Sequence, residues 1–464
     1  MHKVEINGKI LYVKSGTLLS DVIMQSGGRV SHPCGGKGIC KKCLVKVNGR
    51  NELSCQYRIT SDISVVTVGE GEILSETGAT QSLELTENVC LALDLGTTTL
   101  ALALVSLDNS KIIKVLTKTN PQRSFGADVM SRIEYCRKNG VKKLKEAIIS
   151  AVNPMIAEFG LKEKITMFVS GNATMLHLFM GIDCSSIGVA PYTPVFLESK
   201  TESGEKLGLH GIEKVVTLPS IASFVGADLV AGMNYVGFPS DGKYNLLVDL
   251  GTNAETVLFA RNSALCTSAA AGPCFEGANI SCGMSATDGA VYAYSDGKAK
   301  TVGNAPAKGV CGTGLVDVVA ELLQNGTVDE TGFMECESFS VAPEVEIKQA
   351  DIRQYQLAKS AVCSAIVTLI EAQKISFDDI ENMYVSGGFS AKINIENAVK
   401  SGLIPKELAA KCVAVRNSSL LGTVKYACEK NDLAEFTENA VYIDLSSSPL
   451  FSDLFIENMM FEVE

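Results

Sequence analysis

Leu91-Ala92-Leu93-Asp94-Leu95-Gly96-Thr97-Thr98-Thr99-Leu100-Ala101-Leu102-Ala103-Leu104 reads as a strand, a tight turn and a second strand, with an aspartate closing the first strand and three threonines at the turn. Such a turn offers backbone N–H groups and hydroxyls to a phosphate, and the carboxylate can hold hydrated magnesium. Leu246-Leu247-Val248-Asp249-Leu250-Gly251-Thr252-Asn253-Ala254-Glu255-Thr256-Val257-Leu258 repeats the pattern about 155 residues later. Two such hairpins, one from each half of a chain, would close on a nucleotide from opposite sides.

A third element, Asn382-Met383-Tyr384-Val385-Ser386-Gly387-Gly388-Phe389-Ser390, ends a strand in a double glycine, as an adenosine-contacting loop does. The reading assigns Asp94 and Asp249 to magnesium and the attacking water. It assigns Gly96, Thr97, Thr98, Thr99, Gly251, Thr252 and Asn253 to phosphates, and Gly387 and Gly388 to the adenosine. Glu255 could polarise water or simply be solvated, and Asp128 and Arg132 read as a surface i,i+4 pair. Asn172 falls at a strand end near the cleft, and the loops 271–277 and 311–317 either approach nucleotide or turn the chain. Asp-x-Gly-Thr also occurs in aspartic proteases, but those need mostly β lobes, whereas here helical segments such as 141–156 and 356–373 alternate with the hairpins. The set and order of the three elements resemble the acetate kinase, sugar kinase, heat-shock chaperone and actin (ASKHA) superfamily. The expected fold class is α/β, with a two-lobed actin-like ATPase domain over residues 89–464.

Upstream, residues 3–7 and 9–13 read as strands about an Asn7-Gly8 turn, 18–25 as a helix capped by Thr17, and 43–47 and 63–68 as further strands. A hairpin, a crossing helix and more strands make a β-grasp over residues 1–69. Within it lie Cys34, Cys40, Cys43 and Cys55, spaced C-x5-C-x2-C-x11-C with glycines at 35, 36 and 38. That spacing is close to plant-type and matches vertebrate-type 2Fe-2S loops, except that the fourth ligand comes sooner. A four-thiolate zinc site is the alternative, but zinc ribbons usually pair two C-x2-C knuckles and only one is present. The remaining cysteines read as small core residues, with a second metal site at Cys274 and Cys282 a minor alternative. Residues 70–88, with five glutamates and no Lys or Arg, read as an acidic flexible linker.

Fifteen cysteines without a leader pattern at Met1-His2-Lys3 point to reduced thiols and a cytoplasmic protein. The longest apolar stretch, 90–107, is broken by Asp94, Gly96 and threonines, so it reads as a buried hairpin and no membrane association is expected. Residues 1–69 carry a net +6 and the rest −17, so a redox partner of the cysteine loop should present carboxylates. Nucleic acid is not expected as a partner, because no basic helix accompanies the patch and the body would repel phosphate.

Taken together, the cysteine loop, Asn120-Pro121-Gln122, the run 125–133, the loop 272–277 and Ser386 to Phe389 resemble the reductive activators of corrinoid-dependent methyltransferases and corrinoid iron-sulfur proteins. The resemblance implies ATP, Mg2+ and a 2Fe-2S cluster as cofactors. It implies ATP-dependent transfer of one electron to a Co(II) corrinoid protein, restoring Co(I). An external low-potential electron donor and a homodimer through the ATPase domain follow from it as well. ATP is needed because plant-type clusters lie near about −400 mV, and an uphill gap on the order of 100–200 mV costs roughly 2–5 kcal/mol. Some longer relatives carry an extra middle domain, which this chain is expected to lack. A small-molecule kinase, an activator of the 2-hydroxyacyl-CoA dehydratase type and a non-hydrolysing scaffold are the competing readings.

Overall fold

Alternation decides the amino-terminal module: Val4 and Ile6 on one strand and Val45, Val47, Ile63 and Val65 on others turn one face inward, and all are buried. The computed structural model describes residues 1–6, 8–26, 43–66, 88–388 and 392–462. Strands β1 (His2–Ile6) and β2 (Lys9–Val13), helix α1 (Leu19–Gln25), and strands β3 (Leu44–Val47), β4 (Arg50–Leu53) and β5 (Ile63–Val66) form the module. Their sheet runs β2-β1-β5-β3-β4, with β1 parallel to β5 and antiparallel to β2, and Leu19, Val22 and Ile23 of α1 close the core. This is the expected β-grasp. β4 adds a strand that the sequence reading did not include. Thr17 does not cap α1: Leu18 holds that position without a side-chain bond, and the Thr17 hydroxyl instead donates to the Lys14 carbonyl. Asn7, residues 67–69 and residues 70–87 of the expected 70–88 linker lie outside the described residues.

The first lobe comprises β6 (Val89–Leu95), β7 (Thr99–Ser106), β8 (Lys111–Thr119), α2 (Val129–Asn139), α3 (Lys142–Ala157), β9 (Ile165–Ser170), α4 (Ala173–Met180), β10 (Thr201–Ser203), α5 (Gly204–Leu207), β11 (Ile212–Thr217) and α6 (Ala227–Val236). The second comprises β12 (Tyr244–Leu250), β13 (Ala254–Ala260), β14 (Ser263–Ala269), β15 (Ala290–Ser295), β16 (Lys298–Thr301), β17 (Gly309–Val310), α7 (Gly312–Gln324), β18 (Ser338–Ala342), β19 (Val345–Lys348), α8 (Gln349–Gln373), β20 (Ile380–Ser386), α9 (Ile395–Lys400), β21 (Cys412–Ala414), α10 (Ser418–Glu429), α11 (Ala434–Thr437), β22 (Ala440–Tyr442) and α12 (Pro449–Glu457).

The two main sheets repeat one design. In β10-β11-β9-β6-β7-β8 and β21-β20-β12-β13-β14-β22, the central strand pairs antiparallel with its hairpin partner and parallel with the strand on its other side. Register carries the repeat to single residues, since Asp94 stands opposite Ser170 and Asp249 opposite Ser386. The apolar run 90–107 is the buried β6–β7 hairpin, as expected. Among the described residues no helix is long and apolar enough to cross a membrane.

Helices α6 and α10 cross between the lobes. A Cβ on Gly422 would stand 1.7 Å from the Ala231 carbonyl oxygen, so only glycine allows this approach. The carboxyl-terminal segment, to which the sequence reading gives no role, is packed: the Gln356 side chain donates to the Met459 carbonyl, Lys359 donates to that of Met460, and Phe461 stacks on Tyr355.

Candidate functional site

The first hairpin is braced from beneath. The Asn120 backbone N–H donates to the Thr98 carbonyl at 2.8 Å and its side-chain amide to the Gly96 carbonyl at 2.9 Å, which pins both sides of the turn. Arg132 is fully buried and donates to the carbonyls of Thr97 (2.6 Å) and Gly126 (3.0 Å) and to Gln122 Oε1 (3.3 Å). The expected surface pair is therefore corrected: Asp128 is the N-cap of α2, accepting from the Ser131 N–H, and Arg132 points inward to the turn. Spacing of four cannot separate an exposed ion pair from a helix whose start is capped and whose next turn is buried. Asn172, at the head of α4, donates to Thr97 Oγ1 at 3.0 Å, so it does lie at the cleft.

Asp94 ends β6 with both oxygens occupied, Oδ2 by the Asn417 amide (2.9 Å) and Oδ1 by the Ser419 hydroxyl (2.8 Å). Both donors sit at the start of α10, where Asn417 holds φ +25° while its own oxygen caps Leu420. A non-glycine residue in that conformation is strained. Burial raises the Asp94 pKa, and these two bonds oppose the rise.

The second hairpin is built differently. Its turn closes on itself through Gly251 N–H to the Asn253 carbonyl at 2.9 Å. Asp249 is raised to about 7 by burial first, then by the charges of Asp228 and Asp94, against a bond from Ser386. Asp228, in the first turn of α6, is also raised to about 7 by burial and by Asp94. Glu255 is half-buried beside Asp228 and Asp249, with its pKa raised well above the ordinary value by burial and by their charge, and Asn253 bonds to it. Sequence reasoning missed Asp228: Gly226-Ala227-Asp228 repeats Gly126-Ala127-Asp128, but the tripeptide belongs to neither phosphate hairpin.

Glu276 joins the two hairpins. Thr98 Oγ1 donates to its Oε2 at 3.2 Å and Thr252 Oγ1 to its Oε1 at 3.1 Å, bonds that span 178 and 24 residues of sequence. The loop 271–277 thus reaches the site, whereas Asp317 of 311–317 accepts from the Tyr294 N–H and the Asn397 amide and serves the fold. Thr99 begins β7 beside the turn. Gly387 directly follows β20 at φ +115°, where a Cβ would lie 2.2 Å from the Leu250 carbonyl oxygen; Gly388 is exposed with open space around it.

Four carboxylates, Asp94, Asp228, Asp249 and Glu255, therefore crowd one cleft and raise one another's proton affinity. That excess negative charge fits a divalent cation. Among the described residues no three His, Cys, Asp or Glu side chains converge closely enough to ligate a metal directly. In the small module Cys43 and Cys55 are buried thiols with sulfurs 3.1 Å apart, a pairing that fits two ligands of one thiolate-bound centre. Cys34 and Cys40 lie outside the described residues. Burial pushes the Cys274 thiol up to about 12, as for an inert core cysteine.

Two family models match the chain in succession, one described as the RACo middle region over residues 89–241 and one as the C-terminal domain of RACo, the ASKHA domain, over 243–464. The corrinoid activation enzyme RamQ of Eubacterium limosum is 25% identical, the match covering 97% of each chain. The [Co(II) methylated amine-specific corrinoid protein] reductase of Methanosarcina barkeri is 28% identical over 79% of this chain and 76% of its own. Among solved structures, a reductive activator for corrinoid, iron-sulfur protein shares the fold with a TM-score of 0.73 at 24% identity, covering 99% of this chain and 98% of that one. The model described as the middle region falls on the first lobe, within the span that the sequence reading gives to the ATPase domain.

Proposed function

This chain belongs to the RACo family of reductive activators, and on that footing we propose that it spends ATP to return a Co(II) corrinoid protein to Co(I), one electron at a time. The observation that carries the reading is the meeting of two Asp-x-Gly-Thr hairpins, one from each sheet, across a cleft with four carboxylates.

Phosphoryl transfer to water asks for positioning and for charge stabilisation more than for covalent help. Thr97, Thr98, Thr99, Thr252 and Asn253 line the turns from which hydroxyl and N–H donors reach phosphate oxygens. Gly387 and Gly388 leave the Leu250 end of β12 open to the adenosine. Asp249, aided by Asp228, accepts the proton of the attacking water as the water oxygen bonds to the γ-phosphorus and the bond to the ADP oxygen breaks. Asp94, its oxygens fixed by Asn417 and Ser419, would hold the waters of a bound magnesium. Magnesium, when bound, neutralises charge that develops on the transferred phosphoryl group.

Cys34, Cys40, Cys43 and Cys55 would hold a 2Fe-2S cluster, which when bound supplies the one-electron couple recharged by a low-potential donor. Nucleotide can drive the uphill step only if it distinguishes bound states of the corrinoid protein.

The test is anaerobic optical titration of a Co(II) corrinoid protein with the reduced, full-length chain, with and without Mg-ATP. Co(I) is expected only with ATP, and Cys43→Ser should abolish it while ATP hydrolysis persists. ATP hydrolysis without Co(I) from several corrinoid partners would favour a kinase instead.

A further inference from the structure

Glu276 occupies a place that the hydrolytic steps above do not use. Its carboxylate takes one hydroxyl hydrogen from each phosphate hairpin, Thr98 of the first lobe and Thr252 of the second. Each threonine hydroxyl has a single hydrogen to give. A phosphate oxygen that accepts from either threonine must therefore take that hydrogen from Glu276.

The backbone under this carboxylate is fixed. Glu276 ends a short helical turn, 273–276, with Cys274 and Phe275 buried and Phe275 edge-on to Tyr355. The chain then runs to Ser281, whose N–H (2.7 Å) and hydroxyl (3.0 Å) both bond to Asp351 in the first turn of α8. The side chain can give way; its base cannot follow without disturbing α8.

From this we propose that Glu276 is an inter-lobe latch: it ties the two hairpins to each other, and nucleotide phosphate must displace it to bind. Glu276 is then a positioning residue, and the 273–283 loop carries its displacement to α8. The proposal rests on the ATP reading above and adds the element that phosphate competes with.

The experiment measures Mg-ATP affinity of the full-length chain and of Glu276→Gln, together with amide hydrogen exchange of residues 95–99 and 250–254 without nucleotide. Hydrogen bonds to a carboxylate are roughly twice as strong as those to a neutral amide, so the variant should bind Mg-ATP about tenfold more tightly. Both turns should also exchange faster, because the tie between them is weakened. Glu276→Ala should move both readouts further in the same direction. A structural or metal-binding role would predict equal or weaker ATP binding in the variants, and that result overturns the latch, as does unchanged exchange in the two turns. If the unaltered chain binds no Mg-ATP, the ATP reading and the latch fall together; if it binds and the variants do not tighten, only the latch falls.

Discussion

The two Asp-x-Gly-Thr hairpins share strand pairing and register, with Asp94 facing Ser170 and Asp249 facing Ser386, yet their surroundings have diverged. Beneath the first lies a buried scaffold of Asn120, Gln122 and Arg132, and its aspartate has a donor on each oxygen. The second turn closes on itself, and its aspartate sits among other carboxylates with its pKa near 7. A repeated backbone has become two unlike halves of one site. Under the proposed function, the first would be held rigid to position phosphate and metal waters, and the second would be electrostatically set to take up a proton near neutral pH.

The sharpest way to break this comparison is to neutralise each aspartate in turn. Asp249→Asn should lower kcat for ATP hydrolysis by about 10²–10⁴, the range of a lost general base, with little change in KM. Asp94→Asn should instead raise the magnesium concentration needed for half-maximal rate. It should also lower stability by about 1–3 kcal/mol, because an amide offers one acceptor to two fixed donors. Equal kinetic signatures from the two variants would remove the division of labour.

Next in size is the scaffold, for which the second hairpin has no counterpart among the described residues. Arg132→Met deprives three buried acceptors, the Thr97 and Gly126 carbonyls and Gln122 Oε1, of their donor. A loss of about 3–5 kcal/mol in chemical denaturation is expected, since each unsatisfied group costs about 1–3. A cost under 1 kcal/mol would show that the brace is dispensable.

The charges of the second half predict a pH response. Asp249 and Asp228 rise from the ordinary 3.8 to about 7, through burial first. As bases they work ionised, so kcat should climb about tenfold per pH unit below 7 and level off above it. Asp228→Asn removes a charge that raises Asp249, and the limb should shift to lower pH. Stability has the opposite sign: a carboxylate whose folded pKa is raised favours folding below about 4 and loses that contribution as pH rises through about 7. Thermal midpoints without nucleotide should fall across that window, and less so in Asp228→Asn.

The hairpins and the glycine strand end were legible because each is a local pattern that depends on neighbours in sequence. The buttresses were not. Asn417 and Ser419 reach Asp94 across more than 300 residues, and nothing in their own surroundings marks them as partners of a carboxylate. Arg132 was misread because helical spacing records which face a residue lies on, not whether that face is buried. Glu255 was ambiguous for the same reason, since strand alternation places it on a face but only Asp228, arriving on α6, makes that face a cleft.

The smallest effect separates two adjacent glycines at the end of β20. Gly387 stands at φ +115° with the Leu250 carbonyl oxygen 2.2 Å from where a Cβ would be, while Gly388 is exposed with nothing within 4 Å. Gly387→Ala must push β20 from β12 at the residue after Ser386, the bonding partner of Asp249, at a cost of about 1–3 kcal/mol and with weaker ATP binding. Gly388→Ala should change stability by less than about 0.5 kcal/mol, as exposed substitutions usually do. If both affected ATP binding alike with stability intact, contact with the nucleotide, not strand closure, would be what the double glycine provides, and the second hairpin would depend less on its neighbour β20 than the first does on its scaffold.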